Sequence, residues 1–213
     1  MATDDEQRIG QRERPTMAKT RVEGEVFSHR VLWVTAKRMR DQAEAQPRGA
    51  LYFDMAAMLL ARLTVEAYCN FLLHVLYPET FAVERETFRS DIDAKVQWLS
   101  RQIGYPLNLG CRPYQTVKAL TTFRDRIVHA KPEVYADEYE HPIDKEPPFM
   151  EPGELEDSVS PQARAHALED VSTLCEEIHQ KAIAIGDHRQ RLRLQTMALE
   201  GVTQMQSTHT SLA

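Results

Sequence analysis

The stretch FRDRIVHAKP, positions 123–132, gathers Arg124, Asp125, Arg126, His129 and Lys131. These side chains could act together on a phosphodiester. His129 carries the one group in the cluster whose ordinary pKa suits proton transfer near neutrality. Arg124 offers a guanidinium fork that fits two phosphoryl oxygens at once. Asp125 precedes His129 by four positions, the spacing at which a helical carboxylate can accept a hydrogen bond from an imidazole and fix its tautomer. Cleavage of RNA at the 2′-hydroxyl needs a base for that proton, a donor for the leaving 5′-oxygen and positive charge over the phosphate. One copy of the cluster brings one imidazole; two copies facing across a dimer axis bring a base, an acid and two guanidiniums. The expected products are a 2′,3′-cyclic phosphate and a 5′-hydroxyl, with no metal or other cofactor. DNA lacks the attacking hydroxyl. The same residues also suit a purely structural, salt-bridged helix end, and Arg126 and Lys131 read as surface charges.

The element that must position the cluster is a late amphipathic helix. Pro113 suits its first turn, Val117, Leu120, Phe123, Ile127 and Val128 give it an apolar side, and Pro132 stops it. At about 100° per residue, Arg124 and His129 stand about 140° apart. They would not touch, but both can reach a ligand lying over the helix end.

Earlier segments supply the packing surface. A helix is expected from Glu23 to Ala45. The next, from Leu51 to Pro78, is the most apolar and should be central; Arg62, Glu66, Asn70 and His74 fall on it at intervals of four as one polar stripe. That stripe is either a salt bridge with solvated neighbours or a polar seam inside the bundle, which would then require partners. Ser90, with Asp93 three residues on, reads as the cap of a third helix whose inner face is Ile92, Val96, Leu99 and Ile103, ended by Gly104. Ser160 and Pro161 open a last long helix that Gly186 ends or bends. No segment shows sustained strand alternation. The expected fold is all-α, an antiparallel bundle of four to six helices. Residues 1–22 form a flexible arm, 23–186 the bundle, and 187–213 an extension that is partly helical and then frayed.

Composition narrows the function further. The chain has 213 residues, 42% apolar and 27% charged, with a net charge of −6. Residues 131–158 hold ten acidic side chains against two lysines, a local charge of −8, so the rest of the chain is near +2. A coat for duplex DNA is excluded by this balance, since such binding is mostly phosphate neutralisation. The Pro-rich acidic segment reads as a long surface loop. Cys69, Cys111 and Cys175 are far apart and lack metal-ligand spacing. The N-terminus has no apolar signal core, and Arg62 interrupts the longest apolar run, so a cytoplasmic chain without a membrane span is expected.

RDRIVH, with Arg124, Asp125 and His129, resembles the R-x4-6-H motif of the HEPN superfamily (higher eukaryotes and prokaryotes nucleotide-binding domains). The expected shape is similar as well: a helical bundle with the motif near the end of a late helix. The resemblance covers roughly positions 24–186. It implies a homodimer in which two motifs face each other, and a metal-independent endoribonuclease of single-stranded RNA, as in toxin–antitoxin or phage-defence systems, with a separate antitoxin as a further partner. Glu66 and Asn70, in VEAYCN, resemble polar positions on a central helix of such bundles and would support the site from behind. Other members have lost catalysis and act as binding or scaffold modules, in which the same motif would be structural. Against RNA binding stands the acidic segment directly after His129.

Overall fold

The most apolar stretch of the chain becomes the centre of the helical body. A computed structural model describes residues 18–24, 26–88, 91–129, 140, 142–143, 158–194, 198–200 and 205–211. The chain divides into two compact units, Phe27–Gly201 and a smaller one drawn from the two ends of the chain. Within the larger unit the regular structure among the described residues is all helical: α1 (Ser28–Ala45), α2 (Ala50–Leu76), α3 (Pro78–Ala82), α4 (Glu84–Phe88), α5 (Ile92–Ile103), α6 (Tyr114–Val128), α7 (Pro161–Ile185) and α8 (His188–Leu194). Eight helices are thus found among the described residues, against the expected four to six. The difference lies in α3, α4 and α8, which are too short to announce themselves by apolar periodicity.

α2 packs against α1, α5, α6, α7 and α8. Ala57, Ala61, Val65, Leu72 and Leu73 on α2 are almost fully buried, facing Val96 and Leu99 of α5, Val117 and Leu120 of α6, and Val171 and Leu174 of α7 in one core. By length and composition α2 could cross a bilayer, and most of its apolar stretch is buried against the protein's own helices. Its apolarity is thus that of a core helix.

The ends of the helices follow local chemistry. Ser160 accepts from the Ala163 N–H (3.0 Å), and Pro161 follows as the first residue of α7. Gly186 ends α7, and α8 forms separately. Gly104 closes α5 with φ 69°, a left-handed conformation in which glycine has no Cβ to strain. The start of α5 corrects the expected cap. Asp91, not Ser90, accepts from the N–H groups of Asp93 and Ala94, at 2.8 and 3.3 Å. A carboxylate one residue later does the same work and also favours the positive end of the helix dipole. Ser90 itself lies outside the described residues.

One aromatic layer binds α1 to α2 and α7. His29 is buried, its ring 4.7 Å from Phe71 and 5.5 Å from Tyr68. The Tyr68 hydroxyl shares a 2.9 Å hydrogen bond with Nδ1 of the buried His179. The His29 imidazole is lowered to about 4, chiefly by burial, with the neighbouring Arg30 and His179 acting in the same sense and a backbone hydrogen bond at Ala198 opposing them.

The second unit contains β1 (Ala18–Gly24) and β2 (Met205–Ser211), an antiparallel pair in register from Ala18 opposite Ser211 to Gly24 opposite Met205. Within the expected arm and tail, 18–24 and 205–211 are paired strands, and His188–Leu194 is helical; residues 1–17 and 212–213 lie outside the described residues. In AKTRVEG the charged Lys19, Arg21 and Glu23 alternate with Ala18, Thr20 and Val22 over too few residues to stand out, and MQSTHTS is polar apart from Met205. The expected acidic loop at 131–158 falls almost wholly outside the described residues.

Candidate functional site

α6 carries the cluster where the sequence expects it. Tyr114, Val117, Leu120 and Phe123 are buried and fix the helix against the core. Arg124 and Asp125 then fall on the last full turn. Val128 is the last helical residue, and His129 follows as the C-cap with φ −109° and ψ 15°. The His129 N–H donates to the Asp125 carbonyl at 2.9 Å, so the backbone completes the turn. Its side chain is exposed.

The carboxylate of Asp125 does not take the partner expected of it. Arg124 Nη1 donates to Asp125 Oδ1 at 2.7 Å, and no hydrogen bond joins that carboxylate to the imidazole. The reason is local: the i,i+4 pairing requires helical geometry at both positions, and His129 has already left the helix. The Arg124 side chain is 29% exposed and that of Asp125 49%, so neither is sealed against a neighbouring helix. The half-buried guanidinium remains reachable from solvent, and at the same helix end the His129 imidazole and the apolar Val128 side chain are exposed. Arg126, read as a surface charge, is exposed on the same turn.

Glu66 and Asn70 belong to another network. The first part of the stripe on α2 is a polar seam whose charged ends are paired, although the buried Arg62 Nε has no hydrogen bond among the described residues. Arg62 and Lys95 are each only 1% exposed. Arg62 pairs with Glu66; Lys95 pairs with Glu84 of α4 and donates to the Asn70 side-chain oxygen at 2.9 Å. His74 is exposed, its ring 5.1 Å from Phe81. Among the described residues no hydrogen bond or ion pair links this network to Arg124, Asp125 or His129. Cys69 lies within it; burial pushes its thiol up to about 12, so it stays protonated.

Lys95 is the charged residue that the sequence reading passed over. A signal was present: it lies three positions after Ile92 and four before Leu99, on the inner face of α5. A lysine at such a position must find a carboxylate or lose its charge. A third cluster ties the loop before α6 to α7. Arg112 Nε donates to Asp170 Oδ2 at 2.6 Å, and Thr116 donates to the same carboxylate. Burial would raise the Asp170 carboxyl, but these hydrogen bonds prevail and hold it below the usual range. Among the described residues no group of three or more His, Cys, Asp and Glu side chains converges as metal ligands would.

No family model matches the chain, and no curated protein or solved structure matches it.

Proposed function

We propose that the protein is a HEPN-like, metal-independent endoribonuclease that cleaves single-stranded RNA at a site completed by a second copy of the chain. The observation that carries this reading is that His129 is exposed and Arg124 only partly covered, both at the C-terminal end of α6. In this reading His129 of one copy takes the 2′-hydroxyl proton, and the partner's His129 protonates the leaving 5′-oxygen. The two Arg124 guanidiniums bind the phosphoryl oxygens. Asp125 holds Arg124 in the resting state and yields it to the phosphate. Val128, 60% exposed, offers an apolar contact to the second copy. A cytoplasmic toxin or phage-defence component, held in check by a separate antitoxin, is the corresponding setting.

The Arg124–Asp125 pair also supports a second reading. A carboxylate already on the guanidinium is what a structural helix end contains, and the protein would then be a dimerisation or interaction module. Cleavage of mixed-sequence single-stranded RNA in excess EDTA separates the two readings. The nuclease yields 2′,3′-cyclic phosphate ends, and His129→Ala abolishes them. Absence of such ends across many RNAs, or undiminished cleavage by His129→Ala, leaves the interaction module. Light scattering at micromolar concentration should give a particle of twice the 24.5 kDa chain; a monomer removes the composite site.

A further inference from the structure

A cleft in the helical body runs along the face of α6 that carries Ala119, Thr122 and Arg126. It has a volume of about 520 Å³ and opens between α2, α6 and α7. Met58, Leu120, Phe123 and Ala167 form its floor, all nearly inaccessible to water. The space exists because the facing walls carry small side chains, Ala119 on α6 and Ala163 on α7. Larger residues there would close the gap between the helices.

The polar groups stand at the rim. Arg126 and His166 line the opening, and His166 shares a 2.6 Å hydrogen bond with Gln162. Arg126 is unlike the arginines that close ion pairs within the body. Arg62, Arg112, Arg124 and Arg164 each hold a carboxylate. Arg126 has none among the described residues. An apolar cleft of this volume, with one uncommitted guanidinium at its mouth, fits a small ligand that is apolar along its length and anionic at one end.

We propose that this cleft binds a medium-chain carboxylate, with the hydrocarbon chain between α6 and α7 and the carboxylate on Arg126. The site is separate from the nuclease reading and stands or falls without it. Length selectivity follows from the closed floor, since a chain longer than the cleft must leave methylenes in water. Charge selectivity follows from Arg126, because a charge-assisted hydrogen bond contributes enough for a preference of about tenfold or more over a neutral head group.

The test is calorimetric titration of the full chain with octanoate, decanoate and dodecanoate, and with 1-octanol as the neutral counterpart of octanoate. Saturable binding at one ligand per chain is expected, with octanoate favoured over 1-octanol by about tenfold. Arg126→Gln should erase that preference, whereas Arg101→Gln, the same charge change on α5, should keep it. Ala119→Phe, at an exposed wall position that folding tolerates, should remove binding of both while the circular dichroism is unchanged. The proposal is overturned by no saturable binding up to about 1 mM, by an acid-over-alcohol preference that survives Arg126→Gln, or by undiminished binding in a folded Ala119→Phe variant.

Discussion

The middle of α2 and the end of α6 each concentrate charge, and they handle it in opposite ways. Around α2, Arg62 and Lys95 are withdrawn from water and each is matched to a carboxylate. At the end of α6, Arg124 is only partly covered, and His129 stands in solvent beyond the last turn. A buried charge must be matched or the fold suffers; an exposed one is free to meet something that is not part of the chain. The difference separates side chains that hold the body together from side chains that remain available to a ligand.

Mutation should separate the two regions by readout. The largest effect is expected on rate. Arg124→Ala should slow RNA cleavage by about 10²–10³-fold, if it resembles loss of one preorganised donor. Arg124→Lys should restore little, since an ammonium lacks the fork. His129→Ala should abolish cleavage while its unfolding free energy in urea stays within about 0.5 kcal/mol of wild type. A His129→Ala variant that is badly destabilised would place that residue with the structural group and break the contrast.

Lys95→Ala should do the reverse. It strands Glu84 and the Asn70 oxygen, at a cost of about 3–5 kcal/mol in denaturant unfolding. Lys95→Met combined with Glu84→Gln should recover much of that loss, because the pair leaves together and the volume is retained. If Lys95→Ala unfolds like wild type, the seam on α2 is not what secures α4 and α5.

His29 meets burial in a third way, by remaining neutral. Its folded pKa of about 4 lies below the ordinary 6.5, so between these values the unfolded chain binds the proton more readily. Stability should therefore be full above pH 6.5 and fall as the pH drops towards 4, by about 3 kcal/mol from this residue. His29→Phe, which retains a ring against Phe71 and Tyr68, should flatten that slope in unfolding curves taken across the window. An unchanged slope would assign the acid sensitivity to other groups.

The smallest expected effect is at the start of α5. Asp91→Ala removes the acceptor for two N–H groups and should cost about 1 kcal/mol. A loss several times larger would mean that the cap also fixes the placement of Lys95 on the inner face of α5.

What was legible in the sequence was whatever depends on near neighbours. The Ser160–Pro161 start of α7, the Gly104 stop of α5 and the central position of α2 all follow from residues within a few positions of one another. So does the location of Arg124 and His129 near the end of α6. What was not legible depends on distant partners or on geometry at a boundary. Lys95 finds Glu84 on a five-residue helix with too few turns to show a period. Asp125 prefers Arg124 because α6 ends one residue before His129, a boundary that sequence periodicity fixes only loosely. Ala18 opposes Ser211 from the far end of the chain, a pairing across nearly two hundred residues that no local pattern announces.

That last pairing has a mechanical consequence. The outermost rung of the ladder, Ala18 with Ser211, joins the positions nearest the two ends of the chain, and Gly24 with Met205 is the innermost. Tension applied through the two termini would pull across the strands rather than along them. The seven rungs would then open in sequence from the outside, each carrying the load alone, as in a zip. The opposite orientation would load all of them together in shear. The ladder is therefore a weak clasp against pulling, and it should release before tension reaches the segments beyond Gly24 and Met205.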